Sequence, residues 1–217
     1  MRRRKQLVVP VVIAKSRSSQ RFIVMELLRV AISVLTLSLG ARIKITAPFT
    51  PVPFTLQTMV LHCLLFTNGA QAWRYVATYV LLGLIGAPVF AYGGGLAYVL
   101  SPTFGYLIGF IAGTLVAGRL VPKGTLSAKR GLIAGLAQLM IIYALGASWL
   151  TAWYVFVGGI NFLQAIITAT VTGVMPFIPW DIAKLCLAIP LSRLTVISSY
   201  ALLRRLSSSA SSKVNNA

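Results

Sequence analysis

The sequence predicts an all-α integral membrane protein: six transmembrane helices, both termini cytoplasmic, and a short extra helix or re-entrant segment before the last span. Three observations lead there. Hydrophobic residues fill 58% of the 217 positions and charged residues only 10%, whereas ordinary soluble domains carry roughly 25% charged residues. Apolar runs of near-spanning length recur along the chain. The basic residues gather on alternate connections between those runs, as they do on the cytoplasmic side of membrane proteins.

A spanning helix needs about 20 apolar residues to cross roughly 30 Å of hydrocarbon. The runs that meet or approach this are 22–41, 55–66, 74–90, 105–121, 131–153 and 180–203. The second is short, and extends to Asn68 and back through a proline-rich approach. A further apolar piece, 161–174, is too short to span and reads as a surface or re-entrant helix. Residues 1–21 form a basic cytoplasmic arm ahead of the membrane domain, 22–203. The arm is no cleavable signal, because its apolar stretch 7–14 is brief, contains Pro10 and ends at Lys15 without a small-residue cleavage pattern. Residues 204–217 read as a basic, polar and disordered cytoplasmic tail.

Charge orients the chain. Of the twenty Lys and Arg, seventeen fall on one side of this topology, Arg42 and Lys44 fall on the other, and Lys184 lies inside the last run. The net charge of +18 is therefore a membrane signature. A nucleic-acid surface would interleave aromatics with the basic residues, and this chain does not. One histidine, His62, and two acids leave no metal cluster. Cys63 and Cys186 both lie in apolar runs and read as packing residues. No Ser/His/Asp or Cys/His set and no phosphate loop is present. An intramembrane aspartyl protease would need a second aspartate. The reading is therefore not an enzyme, with no catalytic residue, no metal and no cofactor.

The outer segments, 42–53, 91–102 and 154–179, carry the candidate chemistry. Three prolines, Pro48, Pro51 and Pro53, keep the first from being helical, and Thr55, Gln57 and Thr58 then offer polar groups at the mouth of the second run. A plain loop with a threonine cap accounts for the same residues. In the second segment Gly93, Gly94 and Gly95 allow backbone to approach a ligand closely, among Phe90, Tyr92, Tyr98 and Tyr106. Any single tyrosine there also suits an interfacial belt. The third leads into Asp181 and Lys184. Glu26 is the only other acid in the chain, and a carboxylate in a lipid-like chain costs a few kcal/mol unless paired or solvated. Asp181 in a first helical turn also favours the positive helix end, but Lys184 gains nothing there. Residues i and i+3 share a face, so the pair can form an ion pair while pointing into one cavity.

Four ordered stretches then resemble the BioY family: Thr50-Pro51-Val52-Pro53-Phe54-Thr55-Leu56-Gln57-Thr58; Leu82-Gly83-Leu84-Ile85-Gly86-Ala87-Pro88-Val89-Phe90-Ala91 with Gly94-Gly95-Leu96; Ser101-Pro102-Thr103-Phe104-Gly105-Tyr106-Leu107; and Pro176-Phe177-Ile178-Pro179-Trp180-Asp181-Ile182-Ala183-Lys184. The family pattern often has glycine where this chain has Ser101 and Trp180. The small-residue stripe by which such subunits dock their partner is interrupted, with Leu35 and Leu39 following Ala31. The resemblance implies a substrate-specific S component of an energy-coupling-factor (ECF) transporter in the bacterial cytoplasmic membrane. It would capture biotin at the outer face and work with one membrane scaffold and two ATPase subunits. Asp181 and Lys184 would then meet the polar or charged ends of biotin, with Lys184 expected on its carboxylate. Thr55, Gln57 and Asn161 would be neutral hydrogen-bonders. Phe90, Tyr92 and Tyr106 would wall the ring, beside Gly93 and Gly94. A capture subunit for another small vitamin, or a non-transporting membrane scaffold in which the pair only pins helices, remain alternatives.

Overall fold

A computed structural model describes residues 5–121 and 127–193. Helix α1 (Lys5–Arg42) leads into a two-stranded antiparallel hairpin, β1 (Lys44–Ile45) and β2 (Phe54–Thr55). Then follow α2 (Gln57–Asn68), α3 (Ala72–Leu84), α4 (Phe104–Ala117), α5 (Ala128–Phe156) and α6 (Phe162–Gly173). A last helix, α7 (Ile178–Arg193), completes the described chain. The fold is helical, as expected, and residues 5–21 of the basic arm continue directly into the helix of the first run. The tail, 204–217, lies outside the described residues, as do positions 194–203 of the sixth run.

Length distinguishes these helices. The segments Phe22–Arg42 and Ala128–Phe156 are each long and apolar enough to cross a membrane, and α6 with α7 passes the same test as one span bent by 44°. The helices α2, α3 and α4 have 12, 13 and 14 residues, which is only about 18–21 Å of helix at 1.5 Å per residue. Among the described residues two to three spans qualify by length and composition alone, where six apolar runs were expected to span. The shortfall has a local cause. The run 74–90 stops being helical at Leu84 because Gly86 takes φ +113° and Pro88 follows. The run 55–66 cannot extend backward through Pro51 and Pro53. Segment 161–174 is a true helix, α6, and the sequence after it turns at Val174–Phe177 before α7 begins.

The outer irregular segments are tied down rather than loose. In the glycine loop, Phe90 N–H donates to Gly93 O at 2.8 Å and Gly95 N–H donates to Gly83 O at 2.7 Å. Gly93 and Gly95 hold φ of +115° and +102°, where a side chain is disfavoured. The hairpin is held by the Phe54 ring, stacked on Phe177 with centroids 4.3 Å apart.

Close packing of α4 on α5 sets the centre of the fold. A methyl on Gly109 would stand 2.8 Å from Ile142 Cα, and one on Gly113 would stand 2.8 Å from Gln138 O. This contact lets α4 and α5 approach backbone to backbone, as the Gly109/Gly113 spacing suggests. Further along the same stripe of α5, three residues before Gln138, Gly135 receives Leu185 of α7. Gly109→Val should cost about 1–3 kcal/mol through overpacking, seen as a lower unfolding midpoint of the detergent-solubilised protein; an unchanged midpoint would contradict the α4–α5 contact.

Candidate ligand cavity

Asp181 is buried and Lys184 partly buried in the first turns of α7. Lys184 Nζ lies 2.8 Å from Asp181 Oδ1, with side-chain exposures of 12% and 4%. Burying such a pair costs several kcal/mol of hydration, which close geometry and further hydrogen bonds must offset. They do so here. The Thr58 hydroxyl donates to Asp181 Oδ1 at 2.7 Å, and the Tyr143 hydroxyl donates to Oδ2 at 2.7 Å. Lys184 donates to Thr55 O at 2.7 Å and to Thr58 Oγ1 at 3.2 Å. Among the described residues neither carboxylate oxygen accepts a backbone N–H, so Asp181 is not a helix cap. It serves as a side-chain acceptor, and the pair joins α7 to α2, α5 and the hairpin.

This cluster forms one wall of a cavity. The other walls come from Val52, Pro53, Thr55 and Gln57 before and within α2, from Ala91 and Tyr98 in the second outer segment, from Thr103 just ahead of α4, and from Tyr106, Leu107 and Phe110 on α4. Ile142 and Tyr143 of α5 and Phe177 ahead of α7 complete it. The cavity measures about 60 Å³, several times the roughly 10–15 Å³ needed to admit one water. Its chemistry is uneven: aromatic and aliphatic surface on most sides, and one acceptor–donor pair of zero net charge. Gln57 extends the polar wall, its amide donating to Tyr79 OH at 2.8 Å, and Tyr79 donates in turn to Val89 O at 3.0 Å.

One helical turn below this wall lies a second buried polar layer. His62 Nδ1 meets Gln138 Oε1 at 2.7 Å and the Gln138 amide donates to Thr114 at 2.7 Å. Each stands four residues from a cavity residue on its own helix: Thr58, Ile142 and Phe110 respectively. The layer fastens α2, α5 and α4 beneath the cavity floor.

Comparison with known proteins places the chain. The profile of the BioY family matches residues 13–200. The chain belongs to the BioY family. The Biotin transporter BioY of Thermotoga maritima is 41% identical over 166 residues, covering 75% of this chain and 90% of that protein. The Probable biotin transporter BioY of Lysinibacillus sphaericus is 39% identical over 130 residues, 58% of this chain and 64% of that protein. A crystal structure of the S-component for biotin from an ECF-type ABC transporter superposes with a TM-score of 0.66 at 25% identity, covering 81% of this chain and 92% of that one.

Of the residues singled out from sequence, the fold brings Asp181, Lys184, Thr55, Gln57 and Tyr106 to the cavity. Five others stand elsewhere. Phe90 is fully buried behind the wall, with its ring 4.6 Å from that of Tyr98. Gly93 closes the turn on Phe90, and Gly94 packs so tightly that a methyl would meet Ala87 O. Tyr92 is half exposed beneath the Lys44 ammonium, 4.1 Å from its ring centroid. Asn161 caps α6, its Oδ1 accepting from Gln164 N–H at 2.9 Å. An asparagine before an apolar run is an ordinary helix cap, which explains Asn161 without a ligand.

Tyr143 was missed. Its signal was available: a phenol midway along a 29-residue apolar helix needs a buried partner for its hydroxyl. Thr103 and Tyr98 also line the cavity, linked by a hydrogen bond of 3.1 Å. Tyr143→Phe removes one donor from buried Asp181 and should destabilise by about 1–3 kcal/mol. Thermal unfolding in detergent measures this, and an unshifted midpoint would mean that the contact contributes nothing.

Proposed function

We propose that this chain takes up biotin, holding it in the cavity bounded by Asp181 and Lys184. The closed ion pair carries this reading. A pair of no net charge, whose Asp181 Oδ2 accepts from Tyr143 and has a second lone pair free for a ligand N–H, complements a neutral group that carries N–H donors. The ureido ring of biotin is such a group. The aromatic and aliphatic remainder of the cavity suits its thioether ring.

This reading reverses the expectation for Lys184. A carboxylate placed on the pair would bury a net negative charge beside Asp181, and Lys184 already spends its three N–H donors on Asp181, Thr55 and Thr58. The ureido ring therefore belongs at the pair, and the carboxylate toward the outer mouth.

The wider setting follows from the same reading. Six membrane crossings, three of them by short helices completed by irregular outer segments, leave both termini in the bacterial cytoplasm. Irregular backbone at that depth is tolerated where it lines a cavity. No nucleotide-binding motif is present in the sequence, so energy would come from an ECF membrane scaffold and its two ATPase subunits.

Equilibrium binding of labelled biotin to the purified protein tests the assignment. Lys184→Met should weaken binding by about 100-fold or more, because truncating one partner of a buried charge pair costs roughly 2–5 kcal/mol. The double variant D181N/K184M leaves no unpaired buried charge, so it separates loss of site from loss of fold. It should remain folded and bind no biotin. If that double variant binds like the parent, the pair is a structural pin and the assignment fails.

A further inference from the structure

We infer that Lys44 is the residue that recognises the carboxylate of the ligand, an inference that rests on the biotin reading and extends it to the cavity mouth. Once the neutral ring occupies the Asp181–Lys184 pair, the ligand's carboxylate needs a cation nearer the outside. Among the described residues Lys184 lines the cavity, while Arg42 and Lys44 lie outside its lining and donate to the loop at 88–91 that leads into it. Lys184 has no donor left, as its ammonium is engaged by three oxygens.

Position separates the other two. Arg42 donates to Pro88 O at 2.6 Å, and Pro88 is not part of the cavity wall. Lys44 donates to Ala91 O at 2.5 Å, and Ala91 is part of that wall. Lys44 also pairs with Thr55 across the hairpin. Directly opposite residues of an antiparallel pair project from the same face, and Thr55 is itself a wall residue. The Lys44 side chain thus bridges from the strand that forms one side of the mouth to the loop that forms another.

Its chemistry is open to a ligand. An ammonium has three donors, and the described residues engage one, at Ala91 O. The two ion pairs among the described residues use Asp181 and Glu26, the chain's only acids, with other partners. Lys44 therefore carries an uncompensated charge at the rim. The Tyr92 ring beneath it, at 4.1 Å, holds the ammonium in place without neutralising it. This gives Tyr92 a role one step removed from the ligand: it orients Lys44.

The test is a cycle of two ligands and two proteins. Binding of biotin and of biotin amide, which carries a neutral carboxamide in place of the carboxylate, is measured on the parent and on Lys44→Met. The parent should prefer biotin. The variant should lose about 5- to 10-fold of its biotin affinity, as for one charge-assisted contact at a partly exposed site, and bind the amide as the parent does. Unchanged amide binding also shows that the variant is folded. Lys44→Arg should restore the preference for biotin. Equal loss of both ligands, or no loss of either, would overturn the assignment, and so would a selective loss of biotin on Arg42→Met with none on Lys44→Met. A parent that binds neither ligand would instead reject the biotin reading itself.

Discussion

One largely buried ion pair ties the last helix to two others and to the end of the hairpin. Asp181 and Lys184 belong to α7, yet their hydrogen bonds reach Thr58 on α2, Tyr143 on α5 and the Thr55 carbonyl at the end of the hairpin. Opposite charges in a low-dielectric setting attract strongly but pay heavily in lost hydration. The pair is tolerated because each available oxygen and N–H has a partner. The helices must therefore meet at one height and one rotation, and the cavity exists where they do.

The short helices are consistent with that arrangement. If α2, α3 and α4 ran at full spanning length, their outer ends would fill the space that the hairpin and the glycine loop now occupy. Stopping them early at prolines and at Gly86 frees backbone carbonyls at the outer face. Several of those carbonyls accept from cations or polar side chains: Pro88 from Arg42, Ala91 from Lys44, Val89 from Tyr79. Polar groups that would be costly in lipid are thereby satisfied within the protein. One turn deeper the layer of His62, Gln138 and Thr114 joins three helices by neutral hydrogen bonds, with His62 Nε2 left buried and without a partner among the described residues.

Much of the cavity's polar wall could be read from residue chemistry. A lone acid followed three residues later by a lysine, in a chain with only two acids, identifies its own importance. Thr55 and Gln57 were legible because they follow a proline cluster at a helix start, and Tyr106 because it opens α4 near the glycine loop. Phe90 and Asn161 stand away from the cavity for the opposite reason. Phe90 is close to the cavity in sequence terms, but its ring turns inward against Tyr79 and Tyr98. Asn161 has the right functional group and a local backbone donor that claims it. Tyr143 lies 38 residues from Asp181, and no local pattern links them.

The amino-acid sequence by itself determined that the chain belongs in lipid, that its basic residues gather on alternate connections between apolar runs, and that Asp181 and Lys184 share a helical face. These follow from hydropathy, charge placement and helical periodicity, which are properties of neighbouring residues. Only the tertiary structure decided how long each helix is, which aromatic faces the cavity, and that Lys184 is saturated while Lys44 stands at the rim with donors to spare. Those outcomes depend on hydrogen bonds between residues 47 to 129 positions apart. Which donor meets which acceptor over such distances is settled by packing, because every buried polar group competes for the few partners that the fold brings within reach.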